Sequence, residues 1–192
     1  MNVCLYGASS NAIDAQYLEK TEELGAMLAA KGHTLVYGGG GAGLMGAAAR
    51  GMKRCDGQVV GVVPSFLKVD GVLFDGCDEM LFTDTMRQRK QLMEEKAQAF
   101  IVTPGGIGTY EEFFEIYTLK QLGRHHKPIV IFNIGGYYDA MLAMLRCTAD
   151  KGFMREASLD LFTVASTPRQ VLEQLEIQPS DINLDIHSTK YV

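Results

Sequence analysis

The chain has no Cys-x-x-Cys pair, no block of lysines and arginines, no G-x-x-x-x-G-K-[ST] segment and no apolar run near the ~18 residues a membrane helix needs. Each absence removes a class of function. Four scattered cysteines, Cys4, Cys55, Cys77 and Cys147, share no metal-ligand spacing with His33, His125, His126 or His187, which argues against a zinc site. With no charged n-region and cleavage site at the start, the expectation is a reduced, cytoplasmic protein. A formal net charge of −5 and a pI near 5.4 provide no electrostatic footprint for nucleic acid or for a membrane surface. The missing P-loop sets triphosphate chemistry aside. The longest apolar stretches, 59–63 and 128–132, have the length of core strands.

What remains is the composition of an ordinary globular domain, 192 residues with 47% hydrophobic and 21% charged content, enough for one core. We expect one domain over 1–178 and a polar tail over 179–192. Short β-branched or apolar runs at 2–6, 34–37, 58–63, 79–83, 99–103, 128–132 and 162–165 predict strands. Helical spacing predicts helices over 15–31, 43–54, 86–97, 109–122, 139–151 and 168–175. This alternation is the pattern of an α/β domain, a parallel sheet with helices on both faces. Ligands of such sheets bind beyond the carboxyl ends of the strands, at loops 7–11, 38–46, 83–90 and 104–109.

The last of these loops is the most telling. In Thr103-Pro104-Gly105-Gly106-Ile107-Gly108-Thr109-Tyr110-Glu111-Glu112 a strand stops at proline, turns on glycines and restarts as an acid-bearing helix. Glycines let backbone N–H groups approach an anion, and the helix dipole favours negative charge there. A sugar phosphate is therefore the first ligand to consider. Gly41-x-Gly43-x-x-Gly46 also satisfies the dinucleotide pattern, but the ribose-binding acid due ~20 residues later falls at 61–64, where no Asp or Glu stands. Asp56 precedes the strand instead of ending it. Glycines that merely permit tight turns are the plainer alternative for either loop.

Structural roles compete for the polar residues too. Thr109-x-x-Glu112 and Thr85-x-x-Gln88 both spell a capping box, each contributing ~1 kcal/mol of helix stability if formed. Glu111 and Glu115 suit a solvated helix face. Arg87, Arg89 and Lys90 crowd the first turns of a helix, where the dipole disfavours cations by ~0.3–1 kcal/mol each; an anionic partner, or extension into water, resolves the conflict. Ser9 and Ser10 lie in the first strand's loop, where serine serves ligands and turns alike.

Taken together, Pro104-Gly105-Gly106-Ile107-Gly108-Thr109-x-x-Glu112, Tyr37-Gly38-Gly39-Gly40 with Gly43-Leu44-Met45-Gly46, Met86-x-x-Arg89-Lys90 and Gly7-Ala8-Ser9-Ser10 resemble the Lonely Guy (LOG) family from about residue 1 to 175. That resemblance implies hydrolysis of the N-glycosidic bond of a cytokinin or adenosine nucleoside 5′-monophosphate to free base and ribose 5-phosphate. It implies a Rossmann-like fold, no metal, no cofactor, and a homodimer or higher homo-oligomer. Arg89 and Glu112 would be catalytic. Lys90, Gly105, Gly106, Ile107, Gly108, Thr109, Tyr110, Glu111 and Thr118 would hold the nucleotide, with Ser9, Gly40 and Gly43 from the other loops. Some relatives carry a lysine decarboxylase label, which the motifs here do not support, since they offer no pyridoxal phosphate pocket. A longer 65–78 segment, and Ala8 where serine is frequent, are departures that bear on base selectivity. The competing class is a non-catalytic nucleotide or molybdopterin carrier of the same fold.

Overall fold

A computed structural model describes residues 1–69 and 71–176; the tail expected over 179–192 lies outside the described residues. Strands and helices alternate as β1 (Asn2–Tyr6), α1 (Ala15–Ala30), β2 (Thr34–Tyr37), α2 (Gly43–Arg54), β3 (Gln58–Pro64), β4 (Glu79–Thr83), α3 (Met86–Lys96), β5 (Ala99–Val102), α4 (Ile107–Gln121), β6 (Ile129–Phe132), α5 (Asp139–Asp150), β7 (Thr163–Ala165) and α6 (Pro168–Glu176). The strands form one sheet in the order β4-β3-β2-β1-β5-β6-β7, every pairing parallel.

Period-two alternation decides which side chain meets which layer. Val3 and Leu5 join Leu24, Leu28 and Met52 in one core, while Cys4 and Tyr6 join Met93, Phe113 and Tyr117 in the other. Strands covered on both faces read as continuous apolar runs, which is why β1, β5 and β6 were legible as strands without a polar alternation. Burying each such Leu or Phe is worth about 1.5–3 kcal/mol.

The chain steps outward from β1 through β2 and β3 to β4, then returns to the far side of β1 as β5. Parallel crossovers are right-handed, so steps in opposite directions place helices on opposite faces. Accordingly α1, α2 and α6 pack on one face, and α3, α4 and α5 on the other. The loops leaving β1 and β5 diverge at this reversal, and a crevice opens between them at the carboxyl edge.

Two boundaries differ from the sequence expectation in ways that matter. Helix α4 starts at Ile107 with Gly106 as its N-cap, two residues ahead of the expected Thr109. The 65–78 segment, the departure that bears on base selectivity, makes a short 3-10 turn at Ser65–Leu67, and its residues 71–74 strap across the β2–α2 loop. Gly41 N–H donates to the Val72 carbonyl and Phe74 N–H to the Gly39 carbonyl, both at 2.9 Å.

Candidate active site

The loop between β5 and α4 presents an open helix start. No acceptor among the described residues takes the backbone N–H of Gly106, Ile107 or Gly108; the first donors used are those of Thr109 and Tyr110, which reach the Gly106 carbonyl at 3.0 and 3.1 Å. The expected Thr109–Glu112 capping box does not form. With the helix beginning at Ile107, Thr109 is already inside the first turn, buried against Gly105, and Glu112 points to a different partner. The Thr85–Gln88 box at the start of α3 is present in full.

That partner is Arg89. Its Nη1 donates to Glu112 Oε1 at 2.8 Å and its Nε to the Val62 carbonyl at 3.1 Å, so the guanidinium is anchored from beneath while it holds the carboxylate. Both side chains are nearly buried, 10% and 11% exposed. Gly38 makes room for this: a Cβ there would lie 2.3 Å from Arg89 Nη2. Burial pushes the Glu112 carboxyl above the ordinary glutamate value, and the Arg89 cation only partly opposes it. The conflict of a cation at a helix start is thus resolved by an internal carboxylate instead of by water.

Lys90, one residue on, sits between Glu111 and Glu115, 2.8 Å from Glu115 Oε2 and in close contact with Glu111 Oε1. Partial burial works against its charge, but the two carboxylates outweigh it and raise the lysine pKa. Glu111 and Glu115 are therefore not only a solvated face; they hold Lys90 against α4.

The glycine loop between β2 and α2 is arranged differently. Gly43 N–H donates to Asn11 Oδ1 at 2.7 Å, and the N–H groups of Leu44 and Met45 reach the Ala8 carbonyl at 2.8 and 3.3 Å. Its first turn has no donor left for a ligand. Gly43 adopts φ +61°, and a Cβ there would meet the Ala8 oxygen at 2.3 Å, so glycine is required for backbone contact with the β1 loop. Gly43 is a buried junction, whereas Gly40 borders open space.

Two adjoining hollows share Ser9, Met45, Met86 and Arg89. The smaller, about 270 Å³, collects Gly106, Gly108, Thr109, Glu111 and Glu112. The larger, about 810 Å³, runs from Gly40 beneath the strap, walled by Leu67, Val72, Leu73 and Phe74. Gly105 and Tyr110 lie behind the loop: Tyr137 Oη donates to the Gly105 carbonyl, and the Tyr110 ring packs edge-on to Tyr138. The Ile107 side chain projects into solvent, 84% exposed. Thr118 is exposed on α4, six residues past Glu112 and so about 9 Å further along the axis, and it lines neither hollow. Sequence reasoning quoted Met86 within a motif, Asn11 within the 7–11 loop and 65–78 as a departure bearing on base selectivity, but assigned none of them a contact; for the strap the apolar residues at 66, 67, 69, 72, 73 and 74 were the available signal, without a period to place them. Among the described residues no group of three His, Cys, Asp or Glu side chains is placed to hold a metal, and no helix is long and apolar enough to cross a membrane.

The chain is similar to known proteins in sequence and in fold. The family described as "Possible lysine decarboxylase" matches residues 45–175. A cytokinin riboside 5′-monophosphate phosphoribohydrolase of Mycobacterium tuberculosis is 39% identical over 170 residues, covering 88% of this chain and 90% of that protein. The Arabidopsis thaliana phosphoribohydrolase named LOG2 is 34% identical over 91% of this chain and 82% of its own length. Among solved structures, the molybdenum cofactor carrier protein of Chlamydomonas reinhardtii superposes with a TM-score of 0.68 at 21% identity, covering 91% of this chain and 96% of that one. The cofactor-binding protein of Rippkaea orientalis gives 0.66 at 23%, covering 90% and 91%. These structures share the fold alone; the sequence relatives go further, and the chain belongs to the Lonely Guy (LOG) family.

Proposed function

We propose that the chain is a cytoplasmic, homodimeric hydrolase of nucleoside 5′-monophosphates, cleaving the N-glycosidic bond to give the free base and ribose 5-phosphate. The observation that carries this reading is the buried Glu112–Arg89 pair beside the open first turn of α4. The 5′-phosphate is held by the free N–H groups of Gly106, Ile107 and Gly108. The ribose then lies over Glu112 and the base enters the larger hollow, between Met45, Met86 and the strap. The relatives' names specify a cytokinin riboside 5′-monophosphate, and the apolar strap suits such a base.

In the reaction the bond between C1′ and the base nitrogen breaks, its electron pair leaves with the base, and water supplies hydroxyl to C1′ and a proton to the base. The transition state resembles an oxocarbenium ion, as in glycoside hydrolysis. Glu112 stabilises that positive charge, receives the proton of the attacking water and gives it up through solvent, which protonates the departing base. Such a positioned group contributes typically ~10²–10⁴ in rate, and phosphate anchoring supplies the orientation. Arg89 acts by charge and not as a proton donor, as a guanidinium does; it holds the carboxylate and offsets charge building on the departing base.

Incubating the protein with AMP and with isopentenyladenosine 5′-monophosphate, and separating the products by chromatography, tests the reading. Free base and ribose 5-phosphate are expected. Nucleotides bound but recovered intact would instead favour a carrier, which has the same fold but no use for a carboxylate at the anomeric carbon. Sedimentation of the purified protein tests the dimer.

A further inference from the structure

Four consecutive carbonyls of the β5–α4 loop are each held by a donor. Thr103 O accepts from Tyr138 Oη at 2.7 Å, Pro104 O from Ala8 N at 3.0 Å and Gly105 O from Tyr137 Oη at 2.6 Å, while Gly106 O serves Thr109 N and Tyr110 N within the helix. A trans peptide is planar, with the carbonyl of one residue and the N–H of the next pointing in opposite directions. Holding a carbonyl therefore aims the N–H that follows it. The peptide between Gly105 and Gly106 has no Cβ on either side to fix its rotation, so the hydroxyl of Tyr137 decides where the Gly106 N–H points.

The β6–α5 turn is built to deliver that hydroxyl. Gly135 and Gly136, at φ +60° and +77°, reverse the chain. Asn133 clamps it, accepting from Tyr138 N and donating to Asp139 Oδ1, both at 2.7 Å. The Tyr137 ring then packs edge-on against Tyr17 and Tyr138, with centroids 6.1 and 4.9 Å away. Its neighbour offers a natural contrast: Tyr138 holds the Thr103 carbonyl, but the residue that follows is Pro104, which has no N–H to aim.

We propose that Tyr137 is a positioning residue of the anion cradle: by holding the Gly105 carbonyl, its hydroxyl turns the Gly106 N–H toward the substrate phosphate. The identity of that anion rests on the function proposed above. Tyr138, one residue on and more deeply buried, serves packing alone.

Tyr137→Phe and Tyr138→Phe, each keeping its ring, separate the two roles. Tyr137→Phe loses one charge-assisted hydrogen bond to the phosphate, so its KM for AMP rises about tenfold, with kcat changing less; its Tm falls no further than that of Tyr138→Phe, since each variant leaves one carbonyl without its hydroxyl. Tyr138→Phe lowers Tm and leaves KM within about twofold, because it orphans a buried carbonyl without moving a cradle donor. Wild-type KM in Tyr137→Phe, or an equal KM rise in both variants, overturns the proposal. A second arm uses inorganic phosphate and thermal unfolding. If the wild type leaves AMP intact yet phosphate raises its Tm more than that of Tyr137→Phe, the hydrolase reading falls and the positioning role stands. If AMP is uncleaved and phosphate protects neither protein, both fall.

Discussion

Two glycine loops stand side by side at the carboxyl edge of one sheet, and the same residue type does opposite work in each. After β2, the N–H groups of Gly43, Leu44 and Met45 are consumed by Asn11 and by the Ala8 carbonyl, and the helix start is a structural joint. After β5, those of Gly106, Ile107 and Gly108 stay unclaimed among the described residues, beside a buried carboxylate and its arginine. The glycine pattern permits a backbone to come close; what it comes close to is decided by the neighbouring loop. For the first loop the neighbour is protein, and for the second it is open space wide enough for an anion.

The comparison is tested most severely at the carboxylate. Glu112→Gln keeps the shape and an acceptor for Arg89 but removes the charge, so kcat for AMP falls about 10²–10⁴-fold while KM changes little. Unchanged turnover in that variant would falsify the catalytic assignment. Next comes Gly43→Ala. A Cβ at φ +61° and 2.3 Å from the Ala8 oxygen costs about 2–3 kcal/mol of stability, read as a lower denaturation midpoint. If α2 is a joint and not a phosphate site, the surviving folded protein keeps its KM.

Ile107→Pro is the reciprocal variant. Proline suits the first helical position and the side chain there is solvent-exposed, so Tm holds, but one cradle N–H is gone and KM for AMP rises about tenfold. A KM that does not move places the phosphate elsewhere. The smallest effect is on pH dependence. Catalysis needs ionised Glu112, whose pKa burial raises; activity is therefore full above that raised pKa and lost as pH falls through it. The acid limb of kcat/KM for AMP is expected above the ordinary glutamate value of 4.5 and absent in Glu112→Gln. A limb at or below that value removes the burial argument.

Much of this architecture could be read along the chain. Every expected strand and helix is present within a residue or two, because short apolar runs and the 3.6-residue helical period are local facts and the punctuating glycines and prolines stand between them. The misreading at α4 is instructive. Thr109 and Glu112 have the right spacing for a capping box, yet Gly106 starts the helix earlier, and Arg89, from a different helix, takes the glutamate. The Thr85–Gln88 box forms in full, with Thr85 itself as the N-cap of α3. Leu67, Val72, Leu73 and Phe74 could not be placed from the sequence, since the strap is held by backbone bonds to Gly39 and Gly41 and not by a side-chain pattern, and Leu67 and Val72 stay 44% and 49% exposed.

The sequence by itself determined the sheet, the order of helices around it and the chemical character of the loop at 103–112, because these depend on neighbours a few positions apart. Only the tertiary structure decided which helix start keeps its donors, which acid Arg89 holds and which hydroxyl sets the Gly106 peptide. Those outcomes depend on partners 23 to 32 residues away, and hydrogen-bond partnership at that range is a property of the fold, with no counterpart in any local pattern.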